Sequence, residues 1–182
     1  IYILPIKILN IDIPFLTTLM SSHMFSSIFV LLCFLFVING ANLIDGFNGL
    51  LTINLIIINI ILAYININNG YLEFSILIIS QIIILLSFLL FNFPSAKIFL
   101  GDSGSYLMGS LIALNVIGTN NLNPDYSSFF FCIILFYLFF EVFFSFFRKI
   151  IQKKSPLSPD NKHLHMLTFE KISMIFGKDK GN

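Results

Sequence analysis

Asn92-Phe-Pro-Ser-Ala-Lys-Ile-Phe-Leu-Gly-Asp-Ser-Gly-Ser105 sits between two long apolar runs. It carries one lysine and one aspartate, Lys97 and Asp102, in a chain with little charge elsewhere. Gly101 and Gly104 flank the aspartate and allow a tight turn and a close approach to a ligand. Ser103 and Ser105 stand where an apolar helical pattern resumes, at positions suited to capping that helix. A helix start with free N–H groups beside a carboxylate is what a phosphate and a metal ion need together. A polar connector between two membrane helices has the same composition, so this stretch alone leaves both readings open.

The surrounding composition excludes an ordinary soluble domain. Hydrophobic residues make up 57% and charged residues 10%, with a mean hydropathy of +0.94. Soluble chains carry roughly 25% charged residues. Cys33 and Cys132 both lie inside apolar runs and read as small buried hydrophobes, with neither a disulfide framework nor zinc spacing. The bias towards Ile, Phe, Leu and Asn suggests A/T-rich coding. It also weakens any single asparagine as a signal, so Asn54 and Asn59 read as compositional drift. The chain starts without Met or a charged leader and stops in a basic stretch, 177–182. It is therefore expected to be a piece of a longer protein, cut at both ends.

Residues 1–23 are mixed, with Pro5 and Pro14 and a strand-like series Ile6, Ile8, Ile11 and Ile13. A short β-hairpin at the membrane surface is expected there. Five apolar runs follow, about 24–41, 50–67, 74–93, 105–120 and 126–147. Each approaches the roughly 20 residues that cross a hydrocarbon core, the fourth being the shortest. Helices are the state such runs adopt in lipid. The expected fold is an all-α polytopic membrane protein with about five transmembrane helices. Its organisation is one membrane-embedded domain over 1–182: a surface segment 1–23, the helices 24–147, and a basic loop 148–182.

Positive charge orients the helices. Arg148, Lys149, Lys153, Lys154, Lys162, Lys171, Lys178 and Lys180 follow the last run, which places that side in the cytoplasm. Alternation then puts the 94–104 loop with Lys97, and the 42–49 loop, on the same side. The opposite loops, 68–73 and 119–125, have neither Lys nor Arg, and Lys7 is the one dissenting charge. Three polar segments, 42–49, 92–105 and 155–165, thus share one membrane face.

Each of these segments holds candidate chemistry. Asn42, Asp45 and Gly49 share a face if helical, and a carboxylate with amides at a helix end can hold a hard cation or a ligand. A simple helix–turn–helix joint with Asp45 as a cap is the alternative. Asp102 is the better metal candidate and Lys97 the better phosphate candidate. Phe99 either stacks on a ring or anchors the loop in the interface. His163 and His165, two apart behind a Pro-containing turn, face the same way on a strand and diverge on a helix. Without a Cys or third His nearby they do not make structural zinc. His23 falls on the far side. Glu141, amid phenylalanines in the fifth run, is either functional or paired with Arg148 or Lys149 at the interface.

Together the three segments resemble the membrane-embedded polyprenyl-phosphate N-acetylhexosamine-1-phosphate transferases, glycosyltransferase family 4. The matching residues are Asn39-Gly-Ala-Asn-Leu-Ile-Asp-Gly-Phe-Asn-Gly-Leu50, Pro94-Ser-Ala-Lys-Ile-Phe-Leu-Gly-Asp-Ser-Gly-Ser105 and Ser155-Pro-Leu-Ser-Pro-Asp-Asn-Lys-His-Leu-His165. Glu141, seven residues before Arg148, falls where family members usually carry Asp.

The resemblance implies a reaction. A polyprenyl phosphate, usually undecaprenyl phosphate, attacks the β-phosphate of a UDP-N-acetylhexosamine, giving a polyprenyl-diphosphate sugar and UMP. It implies Mg²⁺, with Mn²⁺ as a substitute, held by Asp102 and Asp45. Asp45, Asp102, His163 and His165 would be catalytic, the histidines contacting phosphate or sugar. Asn42, Asn48, Asn92, Lys97 and Phe99 would bind substrate, Phe99 against uracil. The implied setting is the bacterial inner membrane with the active face cytoplasmic; a homodimer is compatible and nucleic acid is not a partner.

Three departures stand out. An upstream Asp-Asp pair is absent, Asn48 replaces a frequent Asp, and Met166 stands where many members have a third His. The 182-residue piece is accordingly expected to be inactive alone. Two alternatives remain: a catalytically inactive partner subunit, motivated by Asn48 and Met166, and a small transporter, motivated by Glu141.

Overall fold

A computed structural model of the protein describes residues 7–9, 11–95, 97–153, 155 and 163–176. Eight helices form among the described residues. They are α1 (Pro14–Met20), α2 (His23–Ile44), α3 (Leu50–Asn68), α4 (Leu72–Asn92), α5 (Gly101–Leu122), α6 (Ser128–Ile134), α7 (Phe136–Ile151) and α8 (Leu164–Phe176). The all-α expectation holds. The long helices pack side by side in the order α4, α3, α5, α2, α7.

Three helices, α2, α3 and α4, are long and apolar enough to cross a membrane. At about 1.5 Å per residue, their 19 to 22 residues match a hydrocarbon core of about 30 Å. Helices α6 and α7 meet at a 69° bend around Leu135 and make a fourth span if taken as one. The chain is thus an integral membrane protein with three or four such spans, where about five were expected. The difference is α5. It has 22 residues but carries Asn115, Thr119 and Asn120 buried along its length. It lies between α2 and α3, so its polar side chains meet protein.

Those polar groups join the helices. Asn115 Nδ2 donates to Asn59 Oδ1 at 3.0 Å and to Gln81 Oε1 at 2.7 Å, tying α5 to α3 and α4. Asn66 Nδ2 donates to Thr119 Oγ1 at 2.8 Å, and Asn123 Nδ2 to Asn66 Oδ1 at 3.1 Å. Asn59 is therefore part of an interhelical ladder rather than compositional drift. Such bonds contribute roughly 0.6 kcal/mol each in membrane proteins. Small residues bring α2 close to its neighbours. A Cβ at Gly40 would stand 2.6 Å from the Leu138 carbonyl oxygen of α7, and one at Gly109 of α5 would stand 3.0 Å from Ile38 Cα.

The N-terminal segment corrects the hairpin expectation as far as it is described; residues 1–6 and 10 lie outside the described residues. Residues 7–9 and 11–13 form no strand, and 14–20 are helical. An asparagine side chain stands in for a strand partner: Leu9 N donates to Asn121 Oδ1 at 2.9 Å, and Asn121 Nδ2 donates to the Lys7 carbonyl at 2.6 Å. Asp12 accepts the Ser128 amide at 2.7 Å and so caps α6. This end of the bundle gathers the N-terminal segment, the end of α5 and the start of α6.

Candidate active site

At the opposite end, the chain turns from α2 into α3 through Asp45-Gly-Phe-Asn-Gly49, and Gly49 closes the turn with a φ of +73°. Beside it, the loop after α4 enters α5 at Gly101, where φ is +65°. Neither conformation suits a residue with a Cβ, so both glycines are set by the backbone.

Three hydrogen bonds lock the segments together. Asn42 Nδ2 donates to Asp102 Oδ1 at 2.9 Å and to Ser105 Oγ at 3.1 Å. Gly101 N donates to Asp45 Oδ2 at 2.8 Å. The start of α5 is therefore capped by a carboxylate from another helix, whereas Ser103 and Ser105 were expected to cap it. Ser105 Oγ instead donates back to the Asp102 carbonyl at 3.1 Å. The N–H expected to be free for phosphate is occupied at Gly101.

Asn42, Asp45, Gly46, Phe99 and Asp102 line an open cavity of about 370 Å³. Burial pushes the Asp45 carboxyl above its ordinary value, and the nearby Asp102 charge adds to this, while the Gly101 and Leu100 amides pull it down. An ionised pair here costs energy that a divalent cation would offset. Two carboxylates and an amide oxygen, with phosphate oxygens to complete the shell, are the donor set Mg²⁺ prefers. Among the described residues no group of three or more His, Cys, Asp or Glu converges. A cation held by Asp45 and Asp102 would need further ligands from outside these two side chains.

The other expected residues fall in different places. Asn92 is buried; its Oδ1 accepts the Gly49 amide and its Nδ2 donates to the Ile98 carbonyl, both at 2.7 Å. Asn48 Nδ2 donates to the Pro94 carbonyl at 2.7 Å. Both brace the two loops against each other, and neither is among the residues lining the cavity. A carboxylate could not donate to Pro94, so Asn48 is fitted to its place. Lys97 is exposed and also absent from the lining, its amide bonding the Phe91 carbonyl at 2.9 Å.

His163 and His165 are buried at the start of α8, with rings stacked 5.7 Å apart and 8° from parallel. Residues 156–162 of the third motif lie outside the described residues. The His165 ring lies 5.7 Å from Phe47, between the cavity turn and α8. His165 thus adjoins the turn that carries Asp45, and neither histidine is among the residues lining the cavity. Sequence reasoning left Glu141 undecided. Its carboxylate, fully buried in α7, accepts the Leu164 amide at 3.0 Å and meets His165 Nδ1 at 2.9 Å. An acidic residue amid phenylalanines was the signal for it.

A membrane-helix bundle with a polar, two-carboxylate cavity at one end defines an integral membrane protein with a polar site at the end of its helices. The chain belongs to glycosyl transferase family 4, whose model matches residues 1–120. It is 34% identical over 146 residues to the undecaprenyl-phosphate alpha-N-acetylglucosaminyl 1-phosphate transferase of Thermotoga maritima, covering 80% of this chain and 44% of that protein. It is 31% identical over 158 residues to a probable undecaprenyl-phosphate N-acetylglucosaminyl 1-phosphate transferase of Bacillus subtilis, covering 85% and 43%. A phospho-N-acetylmuramoyl-pentapeptide-transferase of Clostridium perfringens is 35% identical over 105 residues, covering 58% and 33%. The chain spans less than half the length of these relatives. No solved structure matches.

Proposed function

We propose that the full-length protein transfers an N-acetylhexosamine 1-phosphate from a UDP-sugar to a polyprenyl phosphate. A phosphate oxygen of the lipid forms a bond to the β-phosphorus of the nucleotide sugar, and the bond to the bridging oxygen breaks, releasing UMP. The observation that carries this reading is the cavity holding Asp45, Asp102 and Asn42 at the end of a membrane bundle of this family. A lipid anchored in the bilayer and a water-soluble nucleotide both reach such a place. We place that end in the cytoplasm of a bacterium, on the charge distribution of the loops.

Asp45 and Asp102 would hold Mg²⁺, which when bound would neutralise the diphosphate and favour the leaving UMP. Asn42 orients the Asp102 carboxylate through its 2.9 Å bond. Gly101 does the same for Asp45. Phe99, half exposed on the lining, offers a face for uracil. Exposed Lys97 supplies positive charge at the cavity's approach, and His163 and His165 support the Asp45 turn and the sugar-phosphate end. The two N-acetylglucosaminyl relatives match over more of the chain than the muramoyl-pentapeptide one, which favours N-acetylglucosamine as the sugar. The test is UMP release by the purified full-length protein from UDP-N-acetylglucosamine, dependent on undecaprenyl phosphate and Mg²⁺. Absence of release with any UDP-N-acetylhexosamine would refute the reading.

A further inference from the structure

Glu141 has no solvent exposure, although it sits in mid-helix among apolar residues. Both its oxygens face the Leu164 amide, at 3.0 and 3.3 Å, and Oε1 lies 2.9 Å from His165 Nδ1. One carboxylate therefore caps α8 and grips the imidazole next to the cap. An ionised carboxylate only accepts, so Nδ1 must carry the proton of that bond. Nε2, the other ring nitrogen, is buried and has no hydrogen-bond partner among the described residues. Burying a ring nitrogen unpaired is unfavourable unless a ligand meets it. The ring cannot easily turn away: Glu141 holds one edge, His163 stacks on it, and Phe47 lies 5.7 Å off. Phe47 follows Gly46, which lines the Asp45–Asp102 cavity, and the Met166 methyl would sit 3.7 Å from a Cβ at Gly46.

We propose that Glu141 is a positioning residue that fixes His165 in its Nδ1–H form and leaves Nε2, an acceptor in that form, to take a hydrogen bond from a hydroxyl of the sugar when substrate is bound. This rests on the transfer reaction proposed above. The carboxylate reaches the ligand only through the imidazole, so its loss matters only while His165 is present. Removing a carboxylate behind a functional histidine typically costs 10- to 100-fold.

The test is a double-mutant cycle in the full-length protein, with UDP-N-acetylglucosamine and undecaprenyl phosphate as substrates. E141Q keeps an oxygen for the Leu164 amide and is expected to lower kcat about 10- to 100-fold, with E141D recovering part of it. In an H165A background E141Q is expected to change the rate by less than about 3-fold, because linked residues are not additive. Equal losses in both backgrounds, or no loss in either, would overturn the proposal. Ring ¹⁵N spectra of histidine-labelled protein give a readout apart from turnover. They are expected to show Nδ1–H at His165 in the wild type and mixed tautomers in E141Q. If the wild type transfers no sugar phosphate, the transfer reading falls and the spectra alone decide: an unchanged tautomer in E141Q overturns the role of Glu141.

Discussion

Asn42 and Asp102, sixty residues apart in the chain, meet at 2.9 Å where α2 ends and α5 begins. The same amide also reaches Ser105, so Asn42 holds the first turn of α5 at two points. The bond uses one oxygen of the carboxylate and fixes the plane of both. If Asp102 binds a metal and diphosphate, Asn42 sets the direction of its charge. Asn42→Ala is expected to reduce transfer about 10- to 100-fold, as loss of a group orienting a metal ligand does. Full-length protein assayed for UMP release, with its thermal midpoint measured in parallel, checks this.

Asp45 connects the site to stability. Burial, then the charge of Asp102, raises its carboxyl above the ordinary 3.8, with the Gly101 and Leu100 amides opposing. A raised carboxyl binds its proton more tightly folded than unfolded. Stability therefore falls as pH climbs from 3.8 through the raised value, and ionised Asp45 is a net cost at neutral pH. Asp45→Asn keeps an oxygen for Gly101 and is expected to raise the midpoint at pH 7 without divalent cations by about 2 °C. Mg²⁺ should stabilise the wild type more than this variant. Thermal scans with and without Mg²⁺ provide the comparison.

Close packing of α2 makes a separate prediction. A Cβ at Gly40 would clash with the Leu138 carbonyl oxygen at 2.6 Å and with Leu138 Cβ at 2.9 Å, so α2 and α7 must separate in Gly40→Ala. Overpacking of this kind costs about 1–3 kcal/mol. Ile84→Ala, at a side chain 61% exposed on α4, removes little protein contact and should cost much less. Unfolding of both variants in the same detergent measures the difference.

Phe99 makes a prediction about binding rather than chemistry. It lines the cavity, with half its surface exposed. A base stacked on an aromatic ring contributes about 1–3 kcal/mol in nucleic-acid sites. Phe99→Ala should therefore raise the KM for the UDP-sugar about tenfold and leave kcat within a factor of about three. Steady-state kinetics over a range of UDP-sugar concentrations separates the two effects.

Much of this was legible in the chain. Run length and composition gave the helices, and the 42–49 and 92–105 segments do meet, through Asn42 with Asp102 and Asp45 with Gly101, while His165, at the described end of the third segment, meets Phe47. The span count was less legible, because hydropathy does not say which run is shielded: α5 is polar where neighbours cover it. Asn59 was read as drift, Asn92 as a substrate contact, and Glu141 was left open, for the same reason. Each is defined by a partner far along the chain, Asn115, Gly49 and His165 respectively, and local pattern carries no record of such partners. Capping followed this rule too. Serines near the start of α5 looked like its caps, yet Asp45 of another segment does that work.

Asp102→Asn in the full-length protein tests the central claim most directly. The substitution keeps the shape of the side chain and an oxygen for Asn42, and removes the charge that the cavity offers to a metal-bound diphosphate. The transfer reading predicts a fall in Mg²⁺-dependent UMP release of at least about 100-fold, within the range set by a single electrostatic group at a reacting centre, with membrane insertion and thermal midpoint retained. Wild-type release from that variant would contradict it.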